Sequence, residues 1–180
     1  MIGFIIFLLL LFSFYTGARR ATALQLIYTI GGILSFFLAM GLYEQWGQKI
    51  DLYIPYLSVT PETEMVYYSQ ELSFDLDKAY YAAVAFIGWL LIGWLVTKLV
   101  MIFLRNLRFT RILEDDWLAA GILNTVLMYI TILLFLKVLT MLPVDAIQNM
   151  FNRSFTADFI VDKTPFLSNM LDKLWITNII

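Results

Sequence analysis

The chain has 180 residues, of which 61% are hydrophobic, 17% aromatic and only 14% charged, and its mean hydropathy is +0.80. Soluble domains carry about 25% charged and about 45–50% apolar residues, and disordered chains combine high charge with low hydrophobicity, so both classes are excluded. A net charge of -2 with no long basic stripe argues against nucleic acid as a partner, and 0 Cys with 0 His removes disulfides, thiol and imidazole chemistry and the usual zinc or haem ligand sets. What remains is an integral membrane protein of the all-α class, its first partner the lipid bilayer.

A membrane helix needs about 20 apolar residues, with a lower limit near about 17. Four segments meet this, at about 2–18, 24–43, 79–103 and 118–142. The first is uncharged from Ile2 to Ala18 and stops at Arg19-Arg20. A cleavable signal would carry its positive charge before the apolar run, so this segment reads as a retained helix. Basic residues mark the cytoplasmic side of short loops. They fall at Arg19 and Arg20 between spans one and two, and at Arg105, Arg108 and Arg111 between spans three and four (104–117). The loop 44–78 carries Lys49 and Lys78 against Glu44, Asp51, Glu62, Glu64, Glu71, Asp75 and Asp77. The expected topology has both termini and the acidic loop outside, in a multi-pass protein of the bacterial cytoplasmic membrane.

Within the outer loop, Leu42, Trp46, Ile50, Tyr53 and Ile54 recur at helical spacing, predicting an amphipathic stretch in the headgroup layer. Thr60-Pro61-Glu62 has the order of a helix start: capping hydroxyl, proline, acid at the positive dipole end. Tyr67, Tyr68, Tyr80 and Tyr81 fit an aromatic belt. Residues 1–142 thus form a transmembrane domain and 143–180 an extracytoplasmic tail. In the tail, Ile147, Met150, Phe151 and Phe155 predict one short helix. Thr164-Pro165 opens a second, with Phe166, Leu167, Met170, Leu171, Leu174 and Trp175 on one face. The pair either caps the bundle or lies on the outer leaflet.

Two ionisable residues lie inside the spans, and such groups are costly in a bilayer. Lys98 is close enough to the inner end of span three to snorkel to the interface. Lys137 lies about 7–8 Å from the outer end of span four, where its stem can reach the headgroups; alternatively it faces the bundle and pairs with Glu44, Asp77 or Asp145. No Asp or Glu lies within a span, so the midplane acid that drives secondary transporters is missing. Small residues predict close helix packing: Gly31, Ser35 and Ala39 on span two, Ala82, Ala85 and Gly93 on span three, Ser13 and Gly17 on span one. These seams serve either a single four-helix unit or a homo-oligomer. The inner loop Arg105–Asp116 reads as a topology signal in contact with anionic lipid or as a docking surface for a membrane or cytoplasmic protein, with an Arg111–Asp115 pair as local support. No catalytic or cofactor-binding motif occurs, so neither an enzyme nor a cofactor is expected.

The order of features also resembles the colicin V production protein family of small bacterial inner-membrane proteins. A short apolar span ends in Gly17-Ala-Arg19-Arg20-Ala21, and a glycine-bearing span and an acidic loop follow. A long third span, a basic turn and a fourth span opened by Ala119-Ala120-Gly121 come next, and then the proline-led Thr164-Pro165-Phe166-Leu167. Gly121 holds one position of the family's glycine pair, with Trp117 and Thr125 flanking it, and Ala21 stands where the family's inner turn has glycine. The resemblance implies a role in toxin production or export and in envelope homeostasis, without enzymatic activity. Two functions fit the residues: an accessory or scaffold protein, or a homo-oligomeric channel lined by Thr29, Ser35, Asn124 and Thr131 with Lys137 near its mouth.

Overall fold

A computed structural model of the chain describes residues 2–104, 106–107, 112 and 116–180. Its elements are α1 (Ile2–Ala18), α2 (Thr22–Ile50), α3 (Gln70–Ser73), α4 (Leu76–Phe103), α5 (Asp116–Thr140), α6 (Asp145–Asn152), α7 (Phe155–Lys163) and α8 (Leu167–Asp172), closed by a π-helical turn over Lys173–Thr177. Among the described residues there is no strand. Helices α2, α4 and α5 are long and apolar enough to cross a membrane, and α1 is a shorter apolar helix of 17 residues. In hydrocarbon every backbone amide and carbonyl must be satisfied within the chain, which is why apolar segments of this length fold as helices.

The chain forms two compact units. One comprises Phe4–Met40 and Gly88–Ile132. In it α1 ends where the Arg20 amide donates to the Gly17 carbonyl at 2.8 Å, tightening the last turn. Helix α2 then starts on a borrowed cap. The Thr22 amide donates to Oδ2 of Asp116 at 3.0 Å, and the Thr22 hydroxyl donates to the Asp116 carbonyl at 2.9 Å. A carboxylate there satisfies an orphan donor and meets the positive end of the helix dipole. Ala39 and Gln25 are fully buried, whereas Phe4, Phe12, Leu34, Phe37 and Leu99 point outward, an apolar surface suited to lipid.

The other unit comprises Gly41–Ile87 and Leu133–Ile180, with the chain up to Gly3. Its core is aromatic. Trp175 and Phe86 meet edge to face at 5.5 Å, and Tyr43 packs on Phe86 at 6.0 Å, all three at most 2% exposed. Such edge-to-face pairs add about 0.5–1.5 kcal/mol each to their area burial.

Several expectations need correction here. The stretch after Tyr43 continues α2 to Ile50 as its last two turns, because Tyr43 is buried and Gly47 packs against Ala82, where an added Cβ would stand 3.0 Å from the Ala82 Cα. Thr60-Pro61-Glu62 opens no helix. The Thr60 amide donates to Oγ1 of Thr63 and the Thr63 amide to the Thr60 carbonyl, so the segment closes on itself as a turn. The tail holds α6, α7 and α8, not two helices. Phe155, expected to share the first apolar face, is 82% exposed at the start of α7, whose cap is Ser154. Phe166 leaves the predicted face as well. The Thr164 hydroxyl donates to the Ile160 carbonyl, the chain reverses with φ 65° at Phe166, and the buried stripe becomes Ser168, Leu171 and Trp175.

Candidate functional site

In the first unit a polar knot is built on Asn124 of α5. Its amide nitrogen donates to the Ser13 carbonyl at 2.7 Å, to Ser13 Oγ at 2.9 Å and to Thr16 Oγ1 at 3.2 Å. Its oxygen accepts from Gln25 Nε2 at 3.3 Å and from the Arg20 guanidinium at 3.5 Å. The Ser13 hydroxyl returns the bond by donating to the Asn124 carbonyl at 3.0 Å. Small residues make this approach possible: a Cβ on Gly17 would collide with the Ala120 carbonyl and the Asn124 Cβ, and one on Gly121 with the Phe14 ring.

Arginines 19 and 20 stand beside an open groove of about 510 Å³ that runs along α1 past Tyr15 and Thr16 to Phe12, with Leu24, Tyr28 and Met101 on its other walls. Arg19 donates to the Tyr15 hydroxyl at 3.1 Å and lies over that ring at 5.7 Å. Arg20 donates to Gln25 Oε1 at 3.3 Å and lies over the Tyr28 ring at 4.9 Å. Lys98, exposed, lies over Trp94 at 4.5 Å and over the same Tyr28 ring at 6.0 Å. Arg105, Arg108 and Arg111, with the proposed Arg111–Asp115 pair, lie outside the described residues.

The small residues of α2 and α4 in this unit lie against each other. A Cβ on Gly31 would run into the Thr97 side chain, and one on Gly93 into Ser35. The Ser35 hydroxyl donates back to the Gly31 carbonyl at 2.6 Å, and Thr97 donates to the Gly93 carbonyl at 2.9 Å, so neither carries a free polar edge into the contact. Ala39 is fully buried. Thr29 and Thr131 likewise bond one turn back, Thr131 from an exposed position. Ala82 and Ala85 belong to the other unit, where both are buried.

That unit holds a second polar centre. Lys137 is 5% exposed, and its ammonium donates to Oδ1 of Asp172 at 2.6 Å. The lysine therefore faces inward, and its partner comes from α8 rather than from Glu44, Asp77 or Asp145. Beside it Gln148 donates to the Thr140 and Leu142 carbonyls and accepts from the Val66 amide, tying the 51–69 segment to the tail. Tyr67 donates to Asp158 at 2.9 Å and Tyr68 shares a hydrogen bond with the Thr140 hydroxyl, so these two rings turn into the protein and not into a headgroup belt. Tyr56 donates to the Met141 carbonyl at 2.7 Å. Burial pushes all three phenols above the usual tyrosine range, helped by the nearby Asp77 for Tyr56, by Asp158 for Tyr67 and by Asp172 for Tyr68. Among the described residues no three acidic side chains converge as a metal cage.

Asp116, Asp172, Gln148, Thr16 and Gln25 were not singled out by pattern, and Ser13 and Asn124 were read only as a small packing residue and a pore-lining one. Asp116 and Asp172 sit at helix ends, Gln148 lies in the short polar helix α6, and Thr16 and Gln25 are isolated polar residues of the apolar helices. Apolar crossing helices whose polar groups pair internally define a multi-span helical membrane protein. The chain belongs to the colicin V production protein family, whose model matches residues 2–165. It is also similar to the uncharacterized transmembrane protein YshB of Bacillus subtilis (strain 168), with 30% identity over 179 residues, covering 97% of each chain. No solved structure is a significant match.

Proposed function

We propose that the protein is a non-enzymatic accessory or scaffold component of the bacterial cytoplasmic membrane, serving toxin production, as the family name suggests, or export and envelope homeostasis. It crosses four times, with α1 as the short first span, both termini and the 51–69 segment outside, and Arg19, Arg20 and residues 104–117 on the cytoplasmic side. The observation that carries this reading is the fate of the polar groups in the apolar helices. Asn124, Ser13, Gln25 and Lys137 all bond to neighbours in their own unit. Groups spent on holding helices together support a framework role over a water-filled path, which needs unpaired polar faces.

The test is mild crosslinking in native membranes, followed by purification, native mass measurement and identification of co-purifying chains. A different protein in fixed stoichiometry is the expected result. A homo-oligomer without companion that conducts ions in proteoliposomes would overturn it in favour of the channel. Because the sequence lacks cysteine, Ser58→Cys and Asn106→Cys give a clean topology control. Impermeant reagent should label the first in intact cells and not the second.

A further inference from the structure

We propose that the groove beside Arg19 and Arg20 binds an anionic phospholipid, its phosphate held by the two guanidiniums and part of one acyl chain lying along Phe12, Leu24 and Met101. The site is described within one unit and does not depend on the scaffold reading. Its volume, about 510 Å³, suits a headgroup and a length of chain, not a whole diacyl lipid. The groove's walls are chemically divided. Phe12 lies seven residues before Arg19 on α1, so the groove extends about 10 Å from the cation into the apolar run.

Among the described residues the charge at the polar end has no ion-pair partner, and Asp116, the acid of α5 in this unit, is bound to the Thr22 amide. Residues 4–40 contain no Asp or Glu, and none of the three ion pairs among the described residues involves Arg19, Arg20 or Lys98. Each guanidinium has five N–H donors, and the bonds described above use one nitrogen of each, leaving a fork for phosphate oxygens. The tyrosine rings beneath hold both guanidiniums in place, which lowers the ordering cost of binding. Lys98 lies 6.0 Å from the same Tyr28 ring that Arg20 covers, which adds a third positive charge near the groove. A zwitterionic lipid brings its own ammonium to the same place and gains less. A free phosphate gains nothing from the apolar wall.

The full-length protein in nanodiscs or mild detergent should be titrated with phosphatidylglycerol, phosphatidylethanolamine and inorganic phosphate, reading bound lipid by native mass spectrometry and thermal shift. Retention of phosphatidylglycerol alone is expected, weakened about tenfold or more by Arg19→Gln together with Arg20→Gln, and left intact by Arg153→Gln in the other unit. Arg20 also touches Asn124, so the double variant is able to lose its fold; Arg19→Gln and Leu24→Trp then decide. The first removes an exposed charge, and the second fills the chain path while leaving every charge in place. Both should weaken phosphatidylglycerol binding. Equal retention of the two lipids, undiminished binding in these variants, or inorganic phosphate binding as well as phosphatidylglycerol would each overturn the proposal.

Discussion

The Lys137–Asp172 pair should respond unequally to loss of its two members. At 2.6 Å the gross attraction is about 6 kcal/mol for an effective dielectric near 20, but desolvating each ion costs several kcal/mol, so the net value is small. The two ends differ in exposure. The lysine side chain is 6% accessible and the aspartate 41%. In Asp172→Asn the ammonium stays buried without its counter-ion. Breaking a fully buried pair this way costs about 3–5 kcal/mol, and partial hydration from the aspartate side lowers the expectation to about 2–3 kcal/mol. In Lys137→Met the stem is replaced by a side chain of similar volume and Asp172 relaxes into solvent, so the loss should stay below about 1 kcal/mol. Unfolding in detergent micelles, with limited proteolysis of the tail, measures both. Equal losses, or a greater loss for Lys137→Met, would refute the premise that burial of the lysine dominates.

At the α2–α4 contact, Gly93→Ala should cost about 1–3 kcal/mol by driving a methyl into Ser35, and Ser35→Gly in the same chain should restore most of it in a thermal melt. Asn124→Leu should lose about 1–3 kcal/mol, since interhelical bonds in membranes average about 0.6 kcal/mol and several end here; Ser13→Ala should lose less because Asn124 keeps Thr16 and Gln25, and denaturant titration would rank the two. Alkaline pH should loosen the unit that holds Tyr56, Tyr67 and Tyr68. The fold favours their neutral forms, so this stabilisation is complete below the ordinary value of 10.0 and falls as pH rises through it towards the higher folded values. Melting temperatures from about pH 8 to about pH 11 should drop, less steeply in Tyr67→Phe/Tyr68→Phe.

The crossing segments were legible because bilayer thickness imposes a length and the apolar runs supply it. Helix ends were less so: α2 runs on to Ile50 because Tyr43 and Gly47 find partners that a linear pattern does not contain. Thr60-Pro61 has the composition of a helix start but no amphipathic run behind it to propagate one. In the tail, Ser154 followed by Asp158 in the first turn of α7 was an available cap signal, hidden by the apolar spacing that joins Phe155 to Ile147, Met150 and Phe151. The inward turn of Lys137 was one of two open alternatives, and its partner lay in a segment read only for its apolar stripe. A hydrogen-bond knot such as that around Asn124 has no linear signature, because its members come from α1, α2 and α5.

Lys137 and Asp172 are 35 residues apart, and the lysine is made first. At about 5–20 residues per second the ribosome needs about 2–7 s to deliver the acid. During that interval α5 has to settle in the bilayer with an uncompensated cation, a placement that costs about 2.5–3.5 kcal/mol at a helix centre and less near its end. The apolar remainder of α5 must therefore carry its own insertion, and the salt bridge can only lock a helix that is already in place. Weakening that hydrophobicity and removing Asp172 should thus fail at different times, one during synthesis and the other after it.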